Sequence, residues 1–137
     1  MMNHRLKGVL FVALALVTLT ARAEEPVAKK PIGKWEHTVE GVKVTLDFAA
    51  DHMVMTVDAG FKIIVDGDYG MTKEGKLFAI CTKVDNGGSE TAPKVDDLFS
   101  FRVLTEKDKL TISDIKPGGE EAKKFIQGEY KLVPEKK

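Results

Sequence analysis

Few residues in this chain are equipped for chemistry, and they are scattered. The single cysteine, Cys81, could in principle act as a nucleophile or redox centre, but no histidine or basic cluster adjoins it in sequence to lower its pKa, so it reads as a small buried hydrophobe. Away from the N-terminus there are two histidines, His37 and His52, and neither stands at ligand spacing from the other or from Cys81, which argues against a metal site. Asp66-Gly67-Asp68-Tyr69-Gly70 has the start of a calcium loop but lacks the third acidic position and the distal bidentate glutamate. Gly70-Met71-Thr72-Lys73-Glu74-Gly75-Lys76 resembles a phosphate-binding loop, yet Leu77 replaces the Ser or Thr that would hold magnesium. A strand pattern follows where a helix is required. With no G-x-S-x-G, no H-E-x-x-H and no identifiable acid/base pair of carboxylates, the expectation is a protein that is not an enzyme and carries no metal or cofactor.

The elements around these residues are mostly short strands. Val42, Val44, Leu46 and Phe48 alternate with polar residues, as do Met53, Met55 and Val57, and then Phe61, Ile63 and Val65 running on to Tyr69. Lys76 to Val84, Leu98 to Leu104, Lys109 to Ile115 and Lys123 to Val133 are rich in β-branched and aromatic residues. Turn signals separate them at Glu40-Gly41, Ala50-Asp51-His52, Gly60, Lys73-Glu74-Gly75, Asn86-Gly87-Gly88, Glu106-Lys107-Asp108 and Lys116-Pro117-Gly118-Gly119. With a first strand at Lys34 to Val39 the count is about eight. The fold class expected is all-β, an antiparallel up-and-down barrel of about eight strands, with an open sandwich as the alternative. Leu77 to Val84 is apolar on both faces, so either Phe78, Ile80 and Val84 or Leu77, Ala79 and Cys81 point inward. The last strand would place Ile126, Gly128, Tyr130 and Leu132 together. The Asp85 to Asp97 connection is long enough for a lid or a short helix at Lys94 to Asp97.

Length and charge set the frame. The chain has 137 residues with 21 basic and 21 acidic, 43% hydrophobic and 31% charged, which suits one globular domain. A basic start at His4, Arg5 and Lys7, an apolar run from Val9 to Leu19 and small residues at Ala21 and Ala23 read as a signal peptide, residues 1–23, cleaved after Ala23. The apolar run is far short of the roughly 20 residues that span a bilayer, and no cysteine near the cleavage point could take a lipid, so no membrane anchor is expected after cleavage. Cleavage removes Arg5, Lys7 and Arg22 and no acid, leaving 18 basic and 21 acidic residues in a mildly acidic chain with one arginine, Arg102. That composition disfavours nucleic acid as a partner. An exported chain with one cysteine has no disulfide framework and depends on its core. Residues 24–32 read as a flexible lead-in, 33–133 as one barrel domain and 134–137 as a tail; the oligomeric state is left open.

The strand signals also resemble a family. Gly33-Lys34-Trp35 opens the first strand as the G-x-W element opens lipocalins, and Gly67-Asp68-Tyr69 and Gly128-Glu129-Tyr130 are similar to the G-x-Y strand endings of short, exported, lipocalin-like (calycin-type) bacterial proteins of unknown function. The resemblance covers Gly33 to Val133. It implies that Trp35 is a structural plug at the closed end of the barrel. Lipocalins carry a late arginine over that tryptophan; here no arginine follows Arg102, which the alternation turns outward with Ser100. Typical lipocalins also have disulfides and a C-terminal helix that this sequence lacks. The functional expectation is a periplasmic or extracellular, non-catalytic β-barrel holding a small hydrophobic ligand in its interior, with Phe48, Met53, Met55, Ile63, Tyr69, Phe99, Phe101 and Tyr130 around it. The alternative is a filled barrel acting as a surface-mediated binding or scaffold module through the Asp85 to Asp97 loop.

Overall fold

Two-residue alternation becomes a closed wall because every strand has one apolar face and a short turn to its neighbour. The computed structural model describes residues 28–90 and 92–134; the segment expected to be a signal peptide, the first part of the lead-in and residues 135–137 of the tail lie outside the described residues. Eight strands follow in order: β1 (Gly33–Val39), β2 (Val42–Phe48), β3 (His52–Asp58), β4 (Lys62–Met71), β5 (Lys76–Asp85), β6 (Leu98–Glu106), β7 (Lys109–Lys116) and β8 (Gly128–Leu132). Each pairs antiparallel with the next, and β8 returns to β1 through Trp35↔Leu132 and Glu36↔Lys131. The result is a closed up-and-down barrel, which removes the open sandwich. One end, called lower here, carries the β2–β3, β4–β5 and β6–β7 turns; the upper end carries the other connections, including the long Asn86–Asp97 loop.

The inner faces follow the alternation. Val44, Leu46 and Phe48 of β2 meet Val57, Met55 and Met53 of β3, and those meet Ile63, Val65 and Gly67 of β4. In β5 the first half turns Leu77, Ala79 and Cys81 inward and leaves Phe78 and Ile80 outside. A bulge opposite Asp66 and Gly67 then inserts one extra residue in β5, so Val84, facing Val65, returns to the inner side. One extra residue exchanges the two faces of a strand, which turns Val84 inward, while the apolar outer face before the bulge belongs to the exposed Phe78 and Ile80.

Four expectations need correction. The strand expected over Lys123 to Val133 is a short helix, α1 (Glu120–Phe125), followed by the shorter β8. Glu120 and Glu121 in its first turn and Lys123 and Lys124 in its last complement the helix dipole, a charge order that outweighs the alternation. No helix forms at Lys94 to Asp97. There the Lys94 amide donates to Asp97 Oδ2 and the Asp97 amide to the Lys94 carbonyl, closing a turn. Phe61 is exposed, because β4 starts only at Lys62 and Phe61 belongs to the β3–β4 turn. The last part of the lead-in is tied down: the Ala28 amide donates to Lys73, the Lys30 ammonium to Ala50, and Pro31 is fully buried. Residues 28–32 thus lie as a strap across the lower end.

Candidate functional site

The lower end is sealed from both sides of the wall. Trp35, 2% exposed, donates its indole Nε1–H to the Pro31 carbonyl at 2.8 Å, so the strap and the tryptophan fix each other. Tyr69 donates its hydroxyl to the Ala49 carbonyl at 2.5 Å and stands edge-on to Phe48 at 5.5 Å, while the Lys30 ammonium lies 5.5 Å from the Tyr69 ring. Burial, with the Asp51 charge second, raises the Tyr69 pKa. Arg102 does not meet Trp35: it is exposed on the outer wall with its Nε 3.9 Å from an Asp114 oxygen. Ser100 shares that outer face, opposite Phe78 and Lys116, yet is covered.

Of the eight residues expected around a ligand, six are packed core. Phe48, Met53, Met55, Tyr69, Phe101 and Tyr130 are buried, and Tyr130 has no exposed surface at all. Only Ile63 and Phe99 keep partial exposure, and both lie toward the upper end, where Val42, Val57, Val84 and Ile126 are likewise half-buried against the core. The barrel therefore brings the expected residues together, in or against one buried core. Val44, Leu46, Leu77, Cys81 and Leu110 have no water-accessible surface. Among the described residues, two concavities lie at the edge of the wall. One is an open groove of about 740 Å³ between the β6–β7 turn and β8, edged by Glu106, Lys107, Asp108 and Lys131; the other is at Asp114, Lys116 and Lys123.

At the upper end, β1 and β8 hold α1 by polar contacts. His37 donates Nε2–H to the Phe125 carbonyl at 2.5 Å and stacks on Tyr130 with ring centroids 3.9 Å apart. Tyr130 donates its hydroxyl to the Ile126 carbonyl at 2.5 Å, and burial raises its pKa. Lys124 pairs with Glu40 at 2.6 Å. No residue of α1 is buried; Ala122 and Ile126 just after it supply its apolar contact.

The other chemistry-bearing residues stay apart. His52 opens β3 on the outer face, its Nδ1 3.1 Å from Asp68 and its Nε2 3.5 Å from Asp66, and these carboxylates raise its pKa, the Asp68 hydrogen bond most, against a lowering by burial. Among the described residues, no group of three His, Cys, Asp or Glu is arranged to hold a metal ion. Cys81 is sealed in the core, and burial, with Asp97 second, pushes its thiol pKa up, away from nucleophilic use. The glycine-rich Gly70 to Lys76 segment is the β4–β5 hairpin, with the Lys76 amide donating to Thr72 Oγ1.

What the residue patterns leave unassigned is an outer surface. Phe78 is 50% exposed, Leu98 71% and Val95 53%, and Ile80 stands directly opposite Leu98 across the β5–β6 ladder. Two-sided apolarity in Leu77 to Val84 was the signal for this patch. Compared with known proteins, the chain matches no family model, no curated protein and no solved structure.

Proposed function

We propose that this is an exported, non-catalytic barrel whose interior is structural and whose binding function lies on its outside, at the β5–β6 wall and the Asn86–Asp97 loop. The observation that carries the reading is the packing of the interior. A pocket for a lipid-sized ligand needs roughly 300 Å³ or more of open volume, whereas Val44, Leu46, Leu77, Cys81, Leu110 and Tyr130, inner side chains of β2, β5, β7 and β8, expose no surface. Eight strands make a barrel just wide enough for its own side chains to fill. Export is supported by the basic, apolar and small-residue order of residues 1–23. A lipocalin-like origin is supported by Gly33-Lys34-Trp35 at the start of β1 and by the burial of Trp35 at the lower end.

Displacement of a fluorescent fatty acid tests this reading. The purified protein should show no saturable uptake; uptake with one-to-one stoichiometry would overturn the filled interior. A second reading keeps a small apolar ligand but moves it to the upper rim, favoured by the residual exposure of Ile63 and Phe99. In that case substitution of Phe99 by a polar residue would abolish any uptake observed.

A further inference from the structure

The strands of the barrel do not pair along their whole length, and the gaps are treated differently. β1 outruns its ladder with β8 beyond Glu36, and there the Phe125 carbonyl meets His37. β7 outruns β8 beyond Ile112, and there Gln127 Oε1 accepts the Ile115 amide. Among the described residues, the third gap has no such cover. The β5–β6 register stops at Ile80↔Leu98, after which Cys81 bonds to the backbone of Asp96 and Asp97. From Lys83 to Asp85 the strand pairs only with β4, and Thr82 lies in the bulge. Thr82, Lys83 and Asp85 are exposed. The chain also leaves this strand toward β4, since Gly87 lies against the backbone of Lys62.

An unpaired strand edge is a template for another strand, and natural proteins normally blunt it. The sequence of this edge complements itself. Antiparallel pairing about a two-fold axis at Val84 sets Lys83 of one copy opposite Asp85 of the other, twice, and Thr82 opposite Asn86. Among the described residues neither Lys83 nor Asp85 has an ion-pair partner within the chain, and Asp85 keeps its charge for this use while its Oδ1 accepts the Gly87 amide at 3.1 Å. Directly opposed unlike charges stabilise a strand pair, and like charges destabilise it.

We infer that the open upper edge of β5 pairs with a second copy of this chain, antiparallel about Val84, to give a two-fold dimer. The inference rests on the surface-binding reading above and names its partner.

Sedimentation equilibrium over a concentration series tests it. The purified protein should populate a dimer. Lys83→Asp and Asp85→Lys should each weaken dimerisation about tenfold or more, since each turns two attractive pairs into repulsive ones. An equimolar mixture of the two variants should recover the dimer, as should the double variant, because every cross-strand pair is then again of opposite sign. Far-UV circular dichroism and Trp35 emission should match wild type throughout, both substitutions being on exposed residues. A wild-type protein that stays monomeric, or variants whose mixture fails to reassociate, would overturn the inference. Fatty-acid uptake would instead overturn the filled-barrel reading, so the two failures are separable.

Discussion

At the scale of single residues, two side chains report on opposite parts of the wall. Trp35 is buried and tied to the strap by its indole N–H. Truncating a large core aromatic typically costs about 3–5 kcal/mol, so Trp35→Ala should lower the free energy of urea unfolding by that amount; a loss below about 1 kcal/mol would mean that Trp35 does not anchor the lower end. His52 behaves differently because it is solvent-facing between Asp66 and Asp68. Its pKa in the folded protein is raised above 6.5, first by the Asp68 hydrogen bond. The protonated imidazole therefore adds stability that is fully present below pH 6.5 and is lost as pH rises through the raised value. Solvent screens these contacts, so the effect is small. The thermal midpoint of wild type should fall modestly across that window, and Asp66→Asn combined with Asp68→Asn should remove that part of the slope. None of this partnership was legible in the sequence, where His52 reads as a turn residue, since its neighbours come from a register that only the folded β3–β4 ladder sets.

At the scale of elements, the sequence is most informative where one face is wet and the other dry. The alternation in β2 and β3 names their buried residues directly, and the turn at Glu40-Gly41 falls where expected. Legibility fails at β5 and at the approach to β8, for two different reasons. In β5 a bulge reverses the faces midway, and periodicity alone carries no mark of an inserted residue. Before β8, a six-residue helix is too short to establish a period of its own, so its residues read as a continuation of the strand. The candidate ligand residues were legible as an inner face, and six of the eight are buried, but whether facing side chains leave space depends on closure and size rather than on pattern. The junction between α1 and β8 is also the place where backbone freedom matters most. Gly128 has φ of +139°, and a Cβ there would lie 3.2 Å from the His37 ring. Gly128→Ala should destabilise the fold by about 1–3 kcal/mol, and the His37 imidazole resonances should shift in NMR spectra as the stack on Tyr130 is displaced. An unchanged spectrum with full stability would mean that this junction tolerates a side chain.

At the scale of the whole molecule, closure with an even number of strands decides which way the domain faces. The described chain enters through the strap at the lower end and leaves there too, the Val133 amide bonding to the Lys34 carbonyl. The upper end, with α1, the Asn86–Asp97 loop and the open part of β5, faces the opposite direction. The barrel thus has a polarity that its symmetric outline hides. Anything attached at either end of the described chain hangs from the sealed base and leaves the upper end unobstructed. Two such domains joined antiparallel at β5 would point their lower ends in opposite directions. Because residues 34 and 133 are hydrogen-bonded neighbours, a short linker could also join the ends and a new opening be made at Glu40-Gly41, converting the same wall into one whose attachments leave from the upper end.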